Sequence, residues 1–74
     1  MITITQHERN EWSRLAQDAY RTGHNDYGHR FSMAAACWPE RVSCAAYDRH
    51  QAIYRAWLLT GWRDVPELSD FPLD

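Results

Sequence analysis

Hydrophobic positions recur at helical spacing three times along this chain. In the first run, Trp12, Leu15, Ala16, Ala19 and Tyr20 fall at the three- and four-residue steps of one helix face. On the opposite side Glu11, Arg14, Asp18 and Arg21 alternate in sign, a pattern that supports a solvated face. Thr5-Gln6-His7-Glu8 fits a capping box: a threonine oxygen for a free N–H, and a glutamate reaching back. Gly23 is a natural stop. A first helix is therefore expected from about Gln6 to Thr22.

The second run is Tyr27, Phe31, Ala34, Ala35 and Trp38. His24, Asn25 and Asp26 are expected to form the preceding turn, with Asn25 or Asp26 capping the new helix. Pro39 ends it. Gly28 lies at the edge of this face, where a missing side chain lets two helices approach. A connection of two or three residues makes the two helices antiparallel neighbours, and it leaves His29, Arg30 and Ser32 facing solvent.

Glu40-Arg41-Val42 reads as a short link, and Ser43 as the cap of a third helix over about Cys44 to Thr60, with Gly61 after it. Tyr47, His50, Ile53, Tyr54, Trp57 and Leu58 form its broad apolar face. Ala52, Ala56 and Leu59 lie on the opposite side, and Trp62 would continue that line. This suggests a second contact surface. The remaining segment, "WRDVPELSDFPLD", has two prolines and no helical period, so it is expected to be irregular. It either straps back over the core or docks a partner.

The pattern thus predicts an all-α, three-helix bundle over residues 1–61, with an acidic, aromatic tail over 62–74. Its 74 residues allow one domain, and the 45% hydrophobic content suffices for a compact core. Stability in so small a domain is expected to be marginal. No apolar run approaches the ~20 residues of a membrane span. No signal-peptide pattern is seen and cysteines are few, so Cys37 and Cys44 are expected to be reduced, partly buried thiols in a cytoplasmic protein.

Net charge is −2, which argues against a protein built mainly to hold nucleic acid. All eight basic residues are arginine. The body to residue 61 is near neutral, whereas Asp64, Glu67, Asp70 and Asp74 outweigh Arg63 in the tail.

Catalytic chemistry finds little footing. His24 and His29 are not spaced for one helix face, Cys37 and Cys44 lack the pairing of a zinc site, and His7 with Glu11 lacks a third ligand. Cys37 or Ser32 can be written beside His29, but neither stands in a nucleophile motif. His50, on an apolar face, reads as a core histidine. There is no phosphate-binding glycine loop. No metal, no cofactor and no enzymatic activity are expected.

Protein binding is the expected class, because interfaces favour Trp, Tyr and Arg as anchors and the chain has four tryptophans and four tyrosines. Trp12 and Trp57 are assigned to the core. Trp38, beside a turn, and Trp62, leaving the third helix on its outer side, are expected to be exposed or used in an interface. The candidate partner-binding residues are Trp38, Arg55, Leu59, Trp62, Asp64, Glu67, Asp70 and Phe71. The acidic residues among them could imitate nucleic-acid phosphates toward a basic site. Pairing of the third helix through Ala52, Ala56 and Leu59 would give a homodimer. The alternative is a small DNA-binding regulator using Arg49, Gln51 and Arg55 of that helix.

Two resemblances bear on this. Trp12, Leu15, Ala16, Gly23, Gly28 and Ala35 resemble the large and small positions of one tetratricopeptide hairpin over residues 9–40, although no second repeat follows. "ERNEWSRLAQDAYRTGHNDYGHRFSMAAA" with "YDRHQAIYRAWL" resembles small proteins of bacteriophages and prophages, from Glu8 to Leu58. That resemblance implies a protein, of the anti-CRISPR or other host-takeover type, that binds and inhibits or redirects a bacterial protein in the host cytoplasm.

Overall fold

The computed structural model describes residues 1–67. Thr5 starts the first helix, α1 (Gln6–Arg21), with the full capping box. Its hydroxyl accepts from the Glu8 backbone N–H at 3.1 Å, and the Glu8 carboxylate takes the Thr5 N–H at 2.9 Å. Trp12, Leu15, Ala16 and Ala19 are buried along one face, as the spacing requires.

The connection to α2 (Asn25–Ala36) comes earlier in the chain than the sequence suggested. Thr22, Gly23 and His24 form the turn, with Gly23 at φ +88°. His24 occupies the N-cap position and makes no side-chain cap. Asn25 and Asp26 therefore lie in the helix rather than before it. The left-handed glycine brings the His24 N–H onto the Ala19 carbonyl at 2.7 Å, so the chain is already positioned to begin α2. The hairpin packs closely at Gly28, where an added Cβ would lie 3.0 Å from the Tyr20 ring.

α2 stops at Ala36, short of Trp38. Its last carbonyls are taken by a residue of α1. The Arg9 guanidinium donates to Ala34 O, Ala35 O, Trp38 O and Pro39 O at 2.8–3.2 Å. No basic residue lies in the last turn of α2, and this cation from the neighbouring helix fills that role.

The link after α2 holds an element the helical reading missed. β1 (Ile2–Thr3) and β2 (Arg41–Val42) pair antiparallel, Ile2 opposite Val42 and Thr3 opposite Arg41, and Ile4 N–H donates to Glu40 O at 2.7 Å. Each strand is two residues long, too short to show a period, and only the β-branched run Ile2-Thr3-Ile4-Thr5 hints at it. The ribbon turns Ile4 and Val42 into the core. It delivers the chain to α3 (Cys44–Thr60), capped by the Ser43 hydroxyl on Ala46 N–H and closed by Gly61 at φ +69°.

The three helices form a small bundle around Trp12, which is fully buried. Phe31 and Trp38 meet its indole edge-on at 6.1 and 6.0 Å, and Tyr47 and His50 pack at 6.2 and 5.4 Å. Such aromatic contacts add to the transfer energy of the buried rings. His50 is a core histidine, fully buried, and its Nδ1–H donates to Ala46 O at 2.9 Å.

Candidate protein-binding face

The C-terminal end of α3 and the chain beyond it were the expected site, and an aspartate of α1 decides how that region folds. Gly61 takes the chain off the helical path, so Trp62 does not continue the line of Ala52, Ala56 and Leu59. It turns inward instead. Asp18 Oδ2 accepts from both Trp57 Nε1 (2.9 Å) and Trp62 Nε1 (3.0 Å), while Oδ1 pairs with Arg21. The Trp57 indole and the Arg21 guanidinium hold this carboxyl below its ordinary pKa; partial burial opposes them, and Trp62 adds to their effect. Asp18 is therefore more than one step of a solvated ladder: it ties α1 to α3 and to the following turn.

The Trp62 ring also stacks on His24, with centroids 4.4 Å apart and planes 15° apart, and packs against Tyr27 at 5.3 Å. The Tyr27 hydroxyl then donates to Pro66 O at 2.8 Å, and Val65 packs on the core. Burial first, then the charges of Glu67 and Asp26, raise the Tyr27 pKa. Residues 62–67 thus run back along the start of α2.

These contacts correct two expectations. Trp62 is half-buried against the body rather than fully exposed. Trp38 is also half-buried, edge-on to His50 at 4.3 Å and to Trp12. The early end of α2 at Ala36 frees Trp38 from the helical path, and the open side of His50 receives it.

The outward surface is made by other residues. Leu59 is 84% exposed and its neighbour Leu58 is 59% exposed. Leu58 had been assigned to the apolar face of the helix. At 3.6 residues per turn it lies about 80° from the His50 line, and the Trp57 and Trp62 rings fill the space toward Asp18. Arg55, Asp64 and Glu67 are exposed around the two leucines in sequence. Asp70 and Phe71 lie outside the described residues. Arg55, Leu59, Asp64 and Glu67 are thus exposed, Leu58 is exposed beside them, and Trp38 and Trp62 are half-buried. The signal for Leu58 was its place at the margin of the apolar arc.

At the other end of the interface between α1 and α3, Glu8 accepts from Tyr47 and from Gln51 (3.2 Å), and Gln51 accepts from Trp12 Nε1 (3.3 Å). Partial burial raises the Glu8 pKa, but donors from the Thr5 backbone and the Tyr47 hydroxyl outweigh it and leave a net lowering. This is a structural network, with every member occupied by another.

Among the described residues no three His, Cys, Asp or Glu side chains gather to hold a metal ion, and no helix is long and apolar enough to cross a membrane. Cys37 and Cys44 are free, and both are exposed rather than partly buried. Comparisons with protein-family models, curated proteins and solved structures return no match to this chain.

Proposed function

We propose that this chain is a non-enzymatic protein-binding module of the phage type, which inhibits or redirects a bacterial host protein in the host cytoplasm. The observation that carries the reading is the adjacent pair Leu58 and Leu59, 59% and 84% exposed at the end of α3. Single exposed leucines are ordinary on a monomer, whereas neighbouring ones with charged residues nearby make a contact surface. Arg55 makes no ion pair among the described residues and is free to meet a carboxylate of the target. Asp64, next to the last turn of α3, supplies the acidic part of the rim. The phage setting follows from the resemblance alone.

The test is affinity capture from bacterial lysate with the full chain and with a Leu58→Glu/Leu59→Glu variant, each with and without nuclease. A single stoichiometric protein, held through nuclease by the parent and lost by a variant of unchanged circular dichroism, supports the proposal. Recovery of nucleic acid alone, or equal capture by both chains, overturns it.

A second reading, a small helical DNA-binding regulator, draws on Arg49 and Arg55. Both are exposed on α3 and without an ion-pair partner among the described residues. Against it, the eight arginines of residues 1–67 are matched by eight acidic residues, and Asp48 sits on the same face as Arg55.

A further inference from the structure

The outer face of α3 has a pattern that matches itself. Ala45, Asp48, Ala52, Arg55 and Leu59 are all exposed, at alternating steps of three and four residues. That is the spacing of a helix-pairing seam. Asp48 and Arg55 are seven residues apart, so they lie on one flank of the seam. Neither makes an ion pair with any described residue. The other flank carries Arg49 and the small residue Ala56.

We infer that α3 pairs antiparallel with α3 of a second copy of this chain, about a two-fold axis near Ala52. The proposal does not depend on the host-protein reading and competes with it for Arg55 and Leu59. In a two-fold interface, if residue i meets residue j then j meets i. With the axis near Ala52, Asp48 of each copy meets Arg55 of the other, giving two reciprocal ion pairs. Leu59 falls on Ala45 of the opposite copy, a large side chain on a small one. Ala52 meets Ala52, which permits close approach of the helices. On the far flank Arg49 meets Ala56, so no like charges are opposed. Leu58 and Asp64 stay outside the seam. The paired protein would then present Leu58, but not Leu59 or Arg55, at each of its two opposite ends.

The experiment is sedimentation velocity on the full chain over a wide concentration range. The parent is expected to shift reversibly from monomer to dimer as concentration rises. Asp48→Arg or Arg55→Asp alone replaces both attractions with repulsions and should weaken association about tenfold or more. The combined Asp48→Arg/Arg55→Asp chain restores both pairs in reverse and should recover association to within about threefold of the parent. Both substitutions are at exposed positions, and circular dichroism checks the fold of all three variants. A parent that stays monomeric throughout, or single reversals that associate like the parent, overturn the proposal. Because Leu58 stays outside the seam, capture by a Leu58→Glu chain tests the host-protein reading separately from either result.

Discussion

Asp18 ties three partners to one position of α1, because one carboxylate serves two indoles and a guanidinium. Hydrogen bonds to charged groups contribute about 1.5–3 kcal/mol. Asp18→Asn should therefore lower unfolding stability by about 2 kcal/mol, read as a shift in the urea midpoint. The pH dependence has a definite sign. The folded pKa lies below the unfolded one. The contribution is thus fully present above the ordinary carboxylate range, near pH 4, and is lost as pH falls through the folded value. Glu8, also lowered, acts in the same direction. Urea midpoints measured from pH 6 down to pH 3 should fall steeply in the parent, less in Asp18→Asn, and least when Glu8→Gln is added. An equally steep fall in the double variant would show that other groups govern acid stability. Gly28 offers a second test at this scale. Alanine there gains about 1 kcal/mol of helix propensity but presses on Tyr20, 3.0 Å from the new Cβ. In a Tyr20→Ala background that gain should appear in full, and with Tyr20 present it should be smaller. A double-mutant cycle gives the difference.

Among the elements, Arg9 has the most leverage, since it caps a helix to which it does not belong. Two carbonyls in the last turn of α2 and two just beyond it converge on its fork. A lysine carries the same charge but not the planar spread of donors. Arg9→Lys is expected to cost about 1–2 kcal/mol, and Arg9→Met more, with loss of amide protection first in the last turn of α2. Exchange that stays uniform along α2 would refute this. The same element shows why some of the fold was legible and some was not. The capping box at Thr5, the Ser43 cap, Gly61 and the core faces are local signals, written within a few residues, and they placed α1 and α3 to within a residue. The end of α2 depends on Arg9, which is 25 residues away from the first carbonyl it holds. The inward turn of Trp62 depends on Asp18, 44 residues away. No local pattern encodes such partners. The β1–β2 pair was hidden for a related reason: two-residue strands become strands only when brought together.

At the scale of the whole molecule, the choice is between a target held by the end of α3 and DNA held along its length. The two make different demands on the same helix. Phosphate binding would use Arg49 and Arg55 as charges, so Arg49→Ala/Arg55→Ala should abolish nucleic-acid affinity. Binding by the parent should then weaken steeply with added salt, by a log–log slope near the number of phosphates neutralised. A protein target would use the apolar centre, so Leu58→Glu should abolish capture while Arg49→Ala leaves it nearly unchanged. Trp62→Ala is a poor probe of either, because it removes the stack on His24 and an Asp18 hydrogen bond, and loss of binding would report loss of structure. Asp64 is the better tail position: it is exposed, and its backbone N–H contacts Thr60 Oγ1 at 3.4 Å while its carboxylate faces outward. Asp64→Ala should keep the melting temperature within about 2–4 °C, as surface substitutions do. If it also weakens capture by the factor of 2–5 expected for one rim charge, the acidic chain after α3 belongs to the contact. An unchanged affinity would confine the contact to the helix itself.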